Sequence, residues 1–305
     1  MDSMLMAEPA RGGHRIVKSK ANKLIDLMVA ALCIIAAIVC LFPLLNVAAT
    51  SLSAELAIIN RQVFIWPVNF TLNAYVSVFS DKSMLNSMAL TMALTFISAA
   101  FSMLMTTLCA YPLSQPKFVG RRLFNTVIII TMYFNAGIIP DYLNMKSLGL
   151  LNNFWSLVLP VGISVFNMII LKSFFQNIPA SLQESAELDG ASHWTILFHI
   201  YLPLSTSALA TLTLFYAVGR WNGFQDVRVY ISSPSLYTVQ FKLYQIVRNL
   251  TSLESNLEGT AAMVMQAKES MKSASIMFAT IPILAVYPWL QKYFISGVTV
   301  GAIKG

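Results

Sequence analysis

Uncharged apolar runs of membrane-crossing length alternate along this chain with shorter polar segments, and the alternation predicts the architecture. The first run, 27–51, exceeds the roughly 20 residues that a helix needs to cross bilayer hydrocarbon. It contains Pro43, where a kink is expected. A cleaved leader would follow its basic start with a shorter apolar core of about 7–15 residues, so this run reads as a retained span. A second span over 84–110 is expected to end at Tyr111-Pro112, and a third over 123–140 at Pro140. A fourth falls near 154–174, a fifth near 204–224 and a sixth near 274–291. The mixed stretch 53–83, with Trp66-Pro67, suits an outer interface, and 141–153 reads as a short outer loop. The polar segment 225–272, with Ser233-Pro234, reads as an outer region holding short helices. The expected fold is all-α, a polytopic membrane protein with six transmembrane helices. A basic arm, 1–23, precedes a single membrane domain, 24–305, with no repeat and no second soluble domain.

Composition agrees. The chain is 57% hydrophobic and only 11% charged, whereas soluble domains carry about 25% charged residues. Its net charge of +7 does not mark a nucleic-acid binder, because the basic residues flank the apolar runs instead of forming one patch. Arg11, Arg15, Lys18, Lys20 and Lys23 precede the first span, and Lys117, Arg121 and Arg122 follow the second. Lys172 ends the fourth, and Lys292 and Lys304 follow the sixth. By the positive-inside rule both termini and the 114–122 loop face the cytoplasm. The spans carry almost no ionisable groups, which argues against an ion-coupled carrier, since such groups mark ion paths. No paired catalytic groups share one membrane depth, which argues against an intramembrane enzyme. Cys33, Cys40 and Cys109 have no metal-like or disulfide-like spacing, and His14, His193 and His199 form no ligand cluster.

The polar stretch 177–204, NIPASLQESAELDGASHWTILFHIYLPL, lies between the fourth and fifth spans. It reads as two short helices. Asn177 is expected to cap the first, with Pro179 in its opening turn. Asp189-Gly190 breaks it, because glycine reaches backbone angles that other residues avoid. Ser192 caps the second, which Pro203 ends or kinks. Leu182, Ala186 and Leu188 are expected to form an apolar face between Glu184, Glu187 and Asp189, a surface suited to a partner. Glu184 and Asp189 resemble a carboxylate dyad only superficially, since no nucleophile or metal group accompanies them.

Glu184-Ser185-Ala186, three residues, Gly190, nine residues, Ile200, one residue and Leu202-Pro203 resemble the EAA loop of binding-protein-dependent ABC importer permeases. The spacing is that of the family throughout, and Ser185 in place of the first Ala is the departure in its core. The resemblance implies a type I importer permease fold whose loop docks on a cytoplasmic ATPase subunit. Glu184, Ser185, Ala186, Asp189, Gly190, Ala191, Leu202 and Pro203 are then the coupling residues. Further stretches resemble the carbohydrate class, especially its LplC/YtcP-like branch. They are FNAGIIPDYLNMKSLGLL at 134–151, residues 167–176, FYAVGRWN at 215–222 and the tail 282–305. The branch more often has His at Arg220 and Pro at Ser207.

This resemblance implies an importer in the bacterial cytoplasmic membrane that moves a carbohydrate, expectedly an oligosaccharide. Some relatives in the branch import acidic fragments, alginate among them. The implied partners are a second related permease, expectedly a different chain, two ATPase subunits holding ATP and Mg, and an extracytoplasmic sugar-binding protein. The chain has no Gly-x4-Gly-Lys-Ser/Thr loop, so it is not expected to bind ATP itself. Two readings stay open for Arg220, Trp221 and Asn222. They line a sugar path, where Arg favours a carboxylate and Trp stacks on a sugar face, or they anchor the span end at the headgroups. Tyr133, Asn135 and Asn167 either line the path or bond between helices. Tyr287-Pro288-Trp289 reads as a kink with an interfacial anchor. A non-sugar cargo is the rival within the family.

Overall fold

The computed structural model describes residues 20–134, 136–254 and 268–286. The arm before residue 20, Asn135, and the tail from Tyr287 with Lys292 and Lys304 lie outside the described residues. Among the described residues the chain is helical, with no strand and one isolated bridge between Ser53 and Phe70.

Helix α1 (Lys20–Ser51) runs through Pro43 without interruption. Its flank from Leu24 to Pro43 is exposed, and burial begins only at Ala49 and Thr50. None of the described residues covers this apolar face, which is therefore open to lipid or to another subunit. Two short helices, α2 (Glu55–Ile59) and α3 (Asn73–Ser80), lead to α4 (Lys82–Ser114). Asp81 caps α4 by accepting a hydrogen bond from Ser83 N at 2.8 Å.

α4 is the axis of the fold, packing against α3, α5 (Arg121–Tyr133), α7 (Val165–Gln176), α11 (Thr206–Asn222) and α13 (Val239–Glu254). Its buried face carries Ser87, Thr91, Ser98, Ser102, Thr106 and Ala110. Small side chains let helices approach closely where lipid removes any hydrophobic drive between them. Their hydroxyls bond locally or across: Thr91 donates to Ser87 O at 2.6 Å and accepts from Val239 N at 2.9 Å. The helix continues past Tyr111-Pro112, where an end was expected, to Ser114. Pro112 lies in the last turn, so it removes one hydrogen bond without breaking a helix that is about to stop.

The third and fourth runs differ from the expected single spans. α5 (Arg121–Tyr133) ends short of Pro140, and α6 (Ile138–Ser147) leaves at 116° to it. Gly137, at φ +90° and ψ 167°, supplies a turn conformation nearly reserved for glycine. Pro140 then sits in the first turn of α6, where proline starts a helix and does not stop one. The region 141–153, expected as a loop, is therefore partly helical. In the fourth run a 3-10 turn (Phe154–Leu157) is followed by irregular chain around Pro160 and Gly162, and α7 covers only Val165–Gln176.

Two short helices, α8 (Ala180–Leu188) and α9 (His193–Ile196), then a π-helical turn (Leu197–Tyr201) and α10 (Leu202–Leu204) make up the polar stretch. The arm His193–Leu204 meets α11 (Thr206–Asn222) at 83°. The joint is Ser205, buried, whose N–H donates to Tyr201 O at 3.1 Å and whose carbonyl accepts from Leu209 N at 2.9 Å. Beyond α11 lie α12 (Gln225–Tyr230), α13 (Val239–Glu254) and a helix over 268–286, here α14. The described residues hold two unbroken helices long and apolar enough to cross a membrane, or four if each bent pair is one span. Six spans were expected. The third run is broken at Gly137, the fourth around Pro160 and the fifth is bent at Ser205, while the sixth, expected near 274–291, continues beyond the described residues.

Candidate functional site: the coupling loop and a membrane cavity

Helix α8, which carries the residues expected to couple to an ATPase, is closed by a glycine motif that explains their spacing. Gly190 takes φ +80°. Its N–H donates to Glu187 O at 3.1 Å, and Ala191 N donates to Ala186 O at 2.9 Å. This pair of bonds is the Schellman arrangement, which satisfies the last carbonyls of a helix when the residue after the cap is left-handed. Ser192 then caps α9 as expected, accepting from Thr195 N at 3.2 Å.

Asn177 does not cap α8. The N-cap is Pro179, and Asn177 Nδ2 donates to Ser173 O at 2.9 Å, closing α7 instead. Two residues of separation keep its side chain from the first free N–H groups of α8. Nor do Leu182, Ala186 and Leu188 share a face. Ala186 packs inward on the core cluster, while Leu188 is 89% exposed. At 3.6 residues per turn, a step of two residues carries a side chain about 200° round the helix.

Glu184, Ser185, Asp189, Gly190 and Pro203 are exposed, and Ala186, Ala191 and Leu202 are half-buried. Glu184, Ser185, Asp189 and Gly190 form a polar ridge with Leu188 at the end of α8. Next to it, Trp194 and Phe198 stack on each other at 6.3 Å and both face outward. Their i,i+4 spacing was visible in the sequence, but only the direction of α9 shows that they point away from the core.

Behind the ridge, contacts the sequence reading missed tie the loop to the spans. Tyr201 OH donates to Gln183 Oε1 at 2.5 Å, and Gln183 Nε2 donates to Glu187 Oε1 at 2.7 Å. Lys117, from the loop after α4, reaches Glu187 Oε2 at 3.4 Å. Tyr111 of α4, Phe175 of α7 and Tyr201 form an edge-to-face triad with centroid separations of 6.5, 5.4 and 5.1 Å. Tyr111 OH also lies 3.3 Å from His193 Nδ1. A cavity of about 1430 Å³ separates α8 and α9 from the end of α4 and carries Lys117 and Arg121 opposite Glu184 and Glu187.

Hydrogen bonds from Gln183 and then Lys117 hold the Glu187 carboxyl below its ordinary value. A depressed carboxylate contributes its interaction above the unfolded pKa and loses it as pH falls through the folded one. Acidification into and below the ordinary carboxylate range should therefore loosen α8 from the 115–120 loop. The check is hydrogen-exchange protection of 180–191 against pH, corrected for intrinsic rates. Glu187→Gln should flatten the dependence, and an unchanged profile would count against the assignment.

A second cavity, of about 810 Å³, lies between α4, α7 and α11. Arg220, Asn222 and Asn167 border it together with Ser98, Ser102 and Tyr216. Along α4, Ser98 and Ser102 lie about 24 and 18 Å from the Ser114 end at about 1.5 Å per residue. By the same measure Arg220 stands about 21 Å up α11 from Thr206. In a hydrocarbon core about 30 Å thick, such distances lie past the midpoint, in the half farther from the Ser114 end of α4. Tyr216 OH accepts from Ser164 N at 3.0 Å and bonds Thr106 Oγ1 at 2.6 Å, holding α7 and α4 about the cavity.

Trp221 and Tyr133 are not brought to this cavity. Trp221 is buried in the cluster with Ala74, Val78 and Met84, and its Nε1 donates to Ala279 O at 3.2 Å. Tyr133 is exposed at the end of α5. Asn222 is exposed and bonds Val218 O at 2.9 Å.

A bent apolar helix bundle, carrying a glycine-closed helix in its polar stretch and a cavity between α4, α7 and α11, has the form of a type I permease. The family described as the binding-protein-dependent transport system inner membrane component matches residues 85–300, and the chain belongs to it. It is accordingly a multi-pass inner-membrane protein.

The chain is 38% identical over 284 residues to the polygalacturonan/rhamnogalacturonan transport system permease protein YtcP of Bacillus subtilis (strain 168). That match covers 93% of this chain and 99% of the relative. It is 41% identical over 265 residues to Protein LplC of the same organism, covering 87% and 90%. Among solved structures it is similar to a chain of a bacterial ABC transporter involved in the import of the acidic polysaccharide alginate. There the identity is 34% and the TM-score 0.82, with 91% of this chain and 99% of that one covered. The resemblance to the LplC/YtcP-like branch thus holds for nearly the whole chain.

Proposed function

We propose that this chain is one transmembrane subunit of a bacterial ABC importer for an oligosaccharide, with acidic fragments as the leading class of cargo. The observation that carries the proposal is the coupling helix. Its exposed ridge, Glu184 to Gly190, is free to enter a partner, while Gln183 and Tyr201 fix its rear to the bundle. A load applied at the ridge therefore reaches α4, α7 and α11 through packed side chains and does not dissipate in a loose loop. Two ATPase subunits holding ATP and Mg would supply that load from the cytoplasmic face. The termini lie on that side by the charge bias. A second, related permease would complete the pathway, and the uncovered face of α1 is one surface available to it.

ATP-driven closure of the ATPase pair would draw the two coupling loops together and turn the cavity between α4, α7 and α11 from the cytoplasm toward the external binding protein. Asn167, Asn222 and Tyr216 supply hydrogen-bonding groups on the cavity wall, and Arg220 shapes it. The polygalacturonan and alginate named for the relatives are polyuronates, which supports placing uronic-acid oligosaccharides first.

The test is ATPase activity of the complex reconstituted in lipid with its binding protein and a panel of neutral and uronic-acid oligosaccharides. Stimulation severalfold above the basal rate by members of the panel, strongest for the acidic ones, is the expected result. No stimulation by any sugar from an intact complex would overturn the carbohydrate reading. Uptake that persists without the ATPase subunits would overturn the importer.

A further inference from the structure

Arg220 was a candidate anion receptor for a carboxylated sugar, and its hydrogen atoms decide the matter. The residue is 6% exposed, in the last turn of α11. Its Nη1 donates to Leu157 O at 3.0 Å and to the Asp226 carboxylate. Its Nη2 donates to Asp226 Oδ1 at 3.0 Å and to Gly223 O at 3.3 Å. A guanidinium has five N–H donors, so all four terminal ones are engaged. The fifth, on Nε, is sealed from solvent and has no partner. No solvent-accessible donor remains for a ligand, and the charge is matched by a bidentate carboxylate.

We propose that Arg220 and Asp226 form a clamp that positions the wall of the cavity between α4, α7 and α11, and that the pair does not read the charge of the cargo. The clamp joins three segments: the end of α11, α12 through Asp226, and the turn before α7 through Leu157. Asp226 Oδ1 also accepts from Val227 N at 3.0 Å, which fixes the first turn of α12. Leu157, Val158 and Val227, each fully buried, pack together beneath the pair. Gly223 is part of the device, since a Cβ there would lie 2.9 Å from Arg220 Nη2. Arg220, Gly223 and Asp226 thus make a spaced set, three residues apart, wrapped round the turn between α11 and α12. Phe224, Gln225 and Asp226 border the cavity, so releasing the clamp frees one of its walls.

The statement about cargo charge rests on the importer reading, whereas the clamp itself does not, and two measurements separate them. Removing both charges together in Arg220→Met/Asp226→Leu avoids stranding a buried ion, which is far more damaging than replacing the pair. In the reconstituted complex the double variant should lose about tenfold in sugar-stimulated ATPase. Its ratio of half-saturating concentrations for neutral and uronic-acid oligosaccharides should stay within twofold of the wild type. A tenfold or larger loss of preference for the acidic sugar would make Arg220 an anion receptor and overturn the proposal.

The second measurement needs no sugar. In a cysteine-free background, Val158→Cys in the assembled complex should react slowly with a water-soluble maleimide. Adding Asp226→Asn should speed the reaction at least tenfold, and an unchanged rate would overturn the clamp even where the importer reading stands.

Discussion

A Gly190→Val chain is expected to insert and assemble normally but to lose more than tenfold of its sugar-stimulated ATPase activity. The reason is local. Gly190 sits at φ +80°, in the region where a side chain crowds the following carbonyl, at roughly 1–2 kcal/mol per residue. A β-branched side chain is among the worst placed there. A Cβ at this position meets nothing within 4 Å inside the chain, so the strain is of the backbone and not of packing. Such a cost is too small to unfold a membrane bundle. It is large enough to break the bonds to Ala186 and Glu187 carbonyls that end α8, and it adds bulk to the exposed ridge. Gly190→Asn, which tolerates the left-handed region better, should keep a substantial part of the stimulation. Membrane level, complex recovery and stimulated rate measured together make the test. A valine variant stimulated like the wild type would remove the coupling assignment.

The second large effect is expected at Phe175, 1% exposed and in edge-to-face contact with Tyr111 and Tyr201. Phe175→Ala should destabilise the subunit by roughly 3–5 kcal/mol, the usual range when a large core ring is truncated and a cavity is left. Phe175→Leu should cost much less, because it restores most of the volume. The ring is the common neighbour of α7, the end of α4 and the π-helical turn, so the alanine variant should also weaken ATPase stimulation at temperatures where it remains folded. Thermal unfolding of the complex in detergent, with the rate measured well below the transition, separates the two. An alanine variant that melts with the wild type would show that the triad does not bear the load assigned to it.

How far the chain could be read in advance varied with the range of each interaction. The coupling loop was legible because its signals are local: Gly190 ends α8 and Ser192 caps α9 within four residues of what they bond. Asn177 misled because it stands between two helices and serves the end of one as well as it would the start of the next. The third and fourth runs misled because an apolar stretch reports its environment and not its direction. Gly137 and Pro160 were the visible warnings. The triad of Tyr111, Phe175 and Tyr201 was not legible, since its members lie on three elements and only folding joins them. Arg220 lay between, because its partner is six residues on in the sequence. An Arg, a Gly and an Asp at equal intervals across a helix end were present to be noticed.

The 83° joint at Ser205 has a mechanical consequence. The arm His193–Leu204 is 12 residues and α11 is 17, so at about 1.5 Å per residue they measure about 18 and 26 Å. Two rigid rods set near a right angle about a buried pivot make a bell crank. A tug perpendicular to the short rod at its free end swings the tip of the long one by about 1.4 times as much, in a direction turned by the same angle. Motion of the free end of the arm across its own axis thus emerges as sway of the Arg220 end along the line of the arm. The ratio depends on the two rod lengths alone.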